Sequence, residues 1–151
     1  MRPSKSRIGK EPAVTDCIFC QIIAGNAPAH EIYRDDELIC FLDIAPATPG
    51  HCLIVPLRHH DDIFSMSEEE VAQIGRFARR FAPVLKQVCA ADGIGVHQLN
   101  GAASGQTVFH YHCHLIPGYT GQTPRIHGRE PASAEQLGEL AGRLRRAFAG
   151  E

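Results

Sequence analysis

Between Gln106 and Pro117 the chain reads Gln-Thr-Val-Phe-His-Tyr-His-Cys-His-Leu-Ile-Pro, and no other run constrains the fold as much. Val108 to Ile116 is apolar and aromatic enough to predict a strand. Successive strand side chains point to opposite faces. His110, His112 and His114 then share one face, while Tyr111, Cys113 and Leu115 share the other. The second set is an ordinary core face. Three imidazoles in a row are costly to bury without partners, so the first set predicts the lining of a site. Two chemistries fit it. Alternate histidines on a strand can bind a metal. Alternatively, one imidazole attacks phosphorus while the others position and neutralise the phosphate. A solvent-facing histidine strand is disfavoured, because the Gly- and Ser-containing loop from Asn100 to Gln106 leads into it. Such a loop can hold an anion with backbone N–H groups.

The rest of the chain supplies the frame. Residues 1–16 hold Pro3, Pro12 and several charges without an apolar pattern, which predicts a mobile tail. Residues 17–151 are then a single domain. Asp16 is placed to cap a helix through Ile23, with Cys17 and Cys20 on one face, and Gly25-Asn26 ends it. Residues 31–34 and 37–43 predict two strands joined at Asp35-Asp36. After the Pro46–Gly50 loop, His51 to Val55 is a short strand stopped by Pro56. Ser67 and Glu70 make a capping box for a long helix to about Ala91. Its apolar residues recur at helical spacing, and Pro83 predicts a kink or a break. Ile94 to Leu99 is another strand. Ser133 and Gln136 open a C-terminal helix through Phe148. This order means α+β with a largely antiparallel sheet.

Composition narrows the function classes. The 151 residues are 44% hydrophobic and 21% charged, and fit one domain with a real core. A net charge of -2, no Trp and 7% aromatic residues argue against a nucleic-acid partner. No apolar run approaches the ~18 residues of a membrane helix, so no membrane partner is expected. The basic N-terminus leads into no apolar segment, so a secretory signal is not expected. The six Cys then read as reduced cytosolic thiols or metal ligands, and the expected location is cytoplasmic.

His110 to Ile116 resembles the signature of the histidine triad (HIT) superfamily, His-x-His-x-His followed by two apolar residues. The likeness extends from about Cys17 to the C-terminal helix. It includes Phe41-Leu42-Asp43-Ile44, Gly50-His51, Val55-Pro56 and Gln106-Thr107-Val108. The resemblance implies a HIT-like fold and a homodimer acting at a purine nucleotide's α-phosphate. His112 would be the nucleophile and carry the nucleotidyl group. His114, His51 and His110 would complete the catalytic set. Gln106 and Thr107 would contact phosphate or leaving group, and Asn100 phosphate or ribose. Asp43 would accept the ribose hydroxyls, and Ile22, Phe41 and Ile44 would wall the base. Many relatives carry a basic residue shortly after the triad, where this chain has Gly118-Tyr119.

The likeness also bears on Cys17-x-x-Cys20. Bacterial proteins of this superfamily with such a pair, and the similar galactose-1-phosphate uridylyltransferases, bind zinc through it. The implied ligands are Cys17, Cys20, His59 and His110, an ordinary structural zinc set. His60 competes with His59, which is preferred because Ile63 and Phe64 follow at the family's spacing. His30, His97 and His127 read as surface or structural histidines. The expected activity is hydrolysis of purine nucleoside phosphoramidates or related adenylylated compounds. A dinucleoside polyphosphate hydrolase or phosphorylase, and a non-catalytic nucleotide-binding module, are the alternatives.

Overall fold

A short helix, α1 (Ile18–Ile23), comes first among the elements of this computed structural model, which describes residues 16–128 and 130–151. The expected tail lies outside the described residues except for Asp16. Cys17 caps α1 instead of Asp16: it has extended backbone, and its Sγ accepts from the Cys20 main-chain N–H at 3.3 Å. A hairpin follows, β1 (Glu31–Arg34) and β2 (Leu38–Leu42). Asp35 closes it by accepting the main-chain N–H groups of Glu37 and Leu38. Then come β3 (Cys52–Pro56), α2 (Glu68–Val88), β4 (Gly93–Gln98), β5 (Cys113–Gly118) and α3 (Ala134–Ala149). The five strands form one sheet in the order β1-β2-β3-β5-β4, each neighbouring pair antiparallel. The architecture is α+β.

Period-two alternation sorts the sheet into two faces. Cys40, Leu42, Cys52, Ile54, Cys113 and Leu115 pack on one face against α2 and α3. There Ile74, Phe77 and Phe81 of α2 meet Leu137, Leu144 and Phe148 of α3. Phe81 is fully buried, and truncating such a ring costs about 3–5 kcal/mol. The intervening residues Ile39, Phe41, Leu53 and Val55 face the other way and gather around Phe19 of α1.

Three expectations need correction. Pro83 does not break α2, which runs unbroken from Glu68 to Val88. Pro83 and Arg79 lie on the exposed side, where water can satisfy the carbonyl that a proline leaves unbonded. The helix also stops before Ala91, because Ala90 turns left-handed with φ 50°. The histidine strand begins at Cys113 and not at Val108. The chain leaves the ladder before that point, and the Tyr111 N–H goes to the His60 carbonyl at 2.7 Å. His110 and His112 thus stand on the approach to β5, and only His114 stands within it. The two-face alternation still holds, since Tyr111, Cys113 and Leu115 enter the helix-covered core.

Candidate active site and metal centre

The histidine face divides into two ends, and hydrogen bonds fix the tautomer at each. A neutral imidazole has one N–H donor and one acceptor nitrogen, so a partner at one nitrogen sets the role of the other.

At the first end, β3 supplies an acceptor: the Pro56 carbonyl lies 2.9 Å from His110 Nε2. His110 Nε2–H therefore donates, and Nδ1 is the bare nitrogen. Nδ1 stands 3.3 Å from Cys17 Sγ and 3.6 Å from Cys20 Sγ. His59 repeats the pattern, with Nε2 2.8 Å from Asp61 Oδ1 and Nδ1 3.3 Å from Cys20 Sγ. Cys17, Cys20, His59 and His110 thus converge, as expected from the sequence. His60 turns away to Glu70 at 3.0 Å. A tetrahedral zinc with Zn–S of about 2.3 Å and Zn–N of about 2.0 Å places neighbouring S and N atoms about 3.5 Å apart. The observed edges fit that figure, and each imidazole has an oxygen behind it, as metal-binding histidines do. Burial, then the neighbouring Cys17 sulfur, pushes the Cys20 thiol up to about 12. A cation bound here would reverse that shift and take up the Cys20 sulfur as thiolate. The residues present fit a metal.

At the second end the wiring inverts. His112 Nδ1 donates to the main-chain carbonyl of His110 at 2.7 Å, which leaves Nε2 as the basic nitrogen. The Ala47 N–H donates to His51 Nδ1 at 2.9 Å, so the His51 proton is on Nε2. That proton is given to His114 Nδ1 at 2.9 Å, and His114 must carry its own proton on Nε2. No buried side-chain nitrogen or oxygen among the described residues lacks a partner. The unbonded Nε2 atoms of His112 and His114 therefore open to the cavity that these residues line. One is a bare nucleophilic nitrogen and the other an N–H donor. Burial, the largest cause, holds His112 below its ordinary value. It takes His51 down to about 4 and His114 to about 3. All three are neutral at pH 7. Asp43, His51 and His114 also cluster closely enough to suggest a metal. Both His51 nitrogens and His114 Nδ1, however, are spent on the Ala47–His51–His114 hydrogen-bond chain.

The cavity measures about 470 Å³, within the usual range for small-molecule sites. Its apolar wall includes Phe19, Ile22, Phe41 and Ile44, and Thr107 stands at its rim. Asp43 joins the wall with Oδ1 accepting the Ala45 N–H at 2.9 Å and Oδ2 3.6 Å from His51. Asn100 and Gln106 are not on this wall. Asn100 Oδ1 accepts the Ile63 N–H at 2.7 Å, and its amide pairs with Gln98. Buried Gln106 accepts the Gly101 N–H and donates to the Asp61 and Val108 carbonyls. These two amides brace the loops around the site.

Two residues escaped the sequence reading. Phe19 stands edge-on to both His110 and His112, at 5.9 and 5.1 Å, and packs on Phe41. Its only signal was an apolar residue between two cysteines. His127, read as a surface or structural histidine, is indeed exposed, but it stands on the cavity wall 6.0 Å from the His114 ring. Nothing in the local sequence marked it.

Comparison with known proteins accords with this geometry. The HIT domain family model matches residues 24–121. "Protein hit" of Bacillus subtilis is 36% identical over 104 residues, covering 69% of this chain and 72% of that protein. Adenylylsulfatase HINT3 of Arabidopsis thaliana is 35% identical over 102 residues, covering 68% of this chain and 52% of that protein. A crystal structure of a Zn-bound histidine triad family protein from Mycobacterium smegmatis matches with a TM-score of 0.81 and 35% identity. It covers 91% of this chain and 96% of its own.

Proposed function

This chain belongs to the HIT family, and from that premise we propose that it is a nucleotide hydrolase acting through a nucleotidyl-His112 intermediate. One observation carries the reading. His112 has its Nδ1 proton locked to the His110 carbonyl, and its bare Nε2 opens beside the Nε2–H of His114. An imidazole fixed in the reactive tautomer needs no proton loss before it attacks phosphorus.

The purine base occupies the apolar wall of Phe19, Ile22, Phe41 and Ile44. Asp43 takes the ribose hydroxyls through Oδ2, because Oδ1 is committed to Ala45. His114 donates to a non-bridging phosphate oxygen, with His51 holding it in that tautomer. Thr107 contacts the phosphate from the rim, while Asn100 and Gln106 keep the surrounding loops in place. His112 Nε2 bonds to the α-phosphorus as the bond to the leaving group breaks. Water then cleaves the phosphorus–nitrogen bond and releases the nucleoside monophosphate. The favoured substrates are purine nucleoside phosphoramidates and related adenylylated compounds; the similarity to an adenylylsulfatase supports the second part. Cys17, Cys20, His59 and His110 hold a structural zinc ion, which fastens α1 and its Phe19 to the nucleophile's approach strand. The similarity to a Zn-bound relative supports that assignment. The edge of β4 that is unpaired among the described residues, with Val96 57% exposed, suits pairing with a second copy. Light scattering tests for that homodimer.

The decisive assay follows adenosine 5′-phosphoramidate, adenylyl sulfate and diadenosine tetraphosphate with wild type and His112→Ala, with intact-mass detection of an adenylyl adduct. Turnover of the first two, lost in His112→Ala, supports the reading. Preference for the tetraphosphate shifts it to dinucleoside polyphosphates. Binding without turnover of any of the three overturns it in favour of a nucleotide-binding module.

A further inference from the structure

Among the described residues, the cavity wall carries four ionisable side chains, Asp43, His112, His114 and His127, and no Lys or Arg. Three of them have their roles set by hydrogen bonds. Asp43 is an acceptor. His112 gives its only proton to the His110 carbonyl and keeps Nε2 for phosphorus. His114 receives a hydrogen bond at Nδ1 and so cannot take up a second proton there without breaking the His51 contact. His127 is different: among the described residues, neither of its ring nitrogens has a hydrogen-bond partner, and the ring is exposed.

His127 is also held in place. Its neighbour Gly128 lies so close to the Ala45 and Pro46 carbonyls that a Cβ there would overlap them. Farther along, the Ala132 N–H donates to the Ile44 carbonyl at 2.9 Å. The segment carrying His127 is therefore docked onto the loop that begins with Asp43. This puts the ring 6.0 Å from His114, at right angles to it.

We propose that His127 is a catalytic residue of this site: it contacts the leaving group and hands it a proton, making basic leaving groups such as amines acceptable. The proposal rests on the hydrolase reading above. With a phosphoramidate, His112 Nε2 forms a bond to phosphorus and the phosphorus–nitrogen bond of the substrate breaks. The proton of the His127 imidazolium moves to the departing nitrogen, which leaves as a neutral amine. Neutral His127 then takes a proton from the water that attacks nucleotidyl-His112, and both histidines return to their starting forms.

The test is a leaving-group series: adenosine 5′-phosphoramidates of amines of graded basicity, together with the 4-nitrophenyl ester of AMP, whose phenolate departs without a proton. Single-turnover rates are compared for wild type, His127→Ala and His127→Gln. General-acid catalysis contributes about 10²–10⁴-fold. His127→Ala and His127→Gln should therefore lose at least about a hundredfold on alkylamine substrates. On the nitrophenyl ester both should stay within about threefold of wild type, since no proton is needed there. A loss equal across the series would overturn the proposal and make His127 a nucleotide anchor. No loss on any member would overturn it as well. Wild-type protein that cleaves no member overturns the hydrolase reading and this proposal together, so the two failures are distinguishable.

Discussion

The two ends of the histidine face use the same side chain in opposite senses. At the cysteine end, His110 and His59 give Nε2–H to an oxygen and turn Nδ1 toward sulfur. At the cavity end, His112 gives Nδ1–H and keeps Nε2. His110 serves both: its ring belongs to the cysteine cluster, and its carbonyl sets the His112 tautomer. Residue type alone does not separate a metal ligand from a nucleophile. The acceptor behind the ring does so, and a strand approach that exposes a carbonyl at every second residue supplies one cheaply.

Substitutions should tell the ends apart. His112→Ala is expected to cost at least about a thousandfold in turnover while leaving the melting temperature nearly unchanged. A large drop in melting temperature would show that the cavity end is structural too. Cys20→Ser should do the reverse. Losing a metal held at about a thousandfold over its dissociation constant removes about 4 kcal/mol, about 10 °C in melting temperature for a domain of this size. Adenylylation by the folded fraction at low temperature should persist. Elemental analysis of the purified variant should find no zinc, and zinc content equal to wild type would break the assignment.

Acid provides a third comparison. His51 and His114 are depressed by burial to about 4 and about 3, from an ordinary 6.5. Between those values the unfolded chain binds protons that the folded chain refuses. Their contribution to stability is full above pH 6.5 and is lost as pH falls through 4 and 3. Urea midpoints from pH 7.5 to 4 should fall. They should fall in Cys20→Ser as well, where proton competition for the metal is gone; a flat profile there would place acid sensitivity at the cysteine end alone. The smallest expected effect is Asp43→Asn, with about a tenfold rise in KM, the loss of one charge-assisted ribose contact, and little change in kcat. A kcat loss larger than the KM change would mean that Asp43 serves His51 more than the ribose.

Much of this was legible because it follows period and spacing. Alternation in His110–Leu115 placed each side chain on its face. The Ser67 and Ser133 caps are local as well. What escaped was set by distant partners. Pro83 stays helical because tertiary burial of Phe81, Val84 and Leu85 outweighs one missing bond. The approach to β5 leaves the ladder because His60 captures the Tyr111 N–H. Asn100 and Gln106, expected at the nucleotide, are claimed by the backbone of Ile63, Gly101 and Asp61. Phe19 and His127 carry no pattern of their own and acquire meaning only from what folds against them.

Strand order also governs when these sites can exist. Among the described residues, β5 is the last strand to be synthesised, yet it lies inside the sheet, and β4 has no neighbour other than β5. Cys17 and His110 meet across 93 positions, so a nascent chain presents both cysteines long before their histidine emerges. Contacts that distant in sequence slow folding. The nucleophile and the cysteine cluster both stand on the approach to β5, so both depend on the described strand that the chain supplies last.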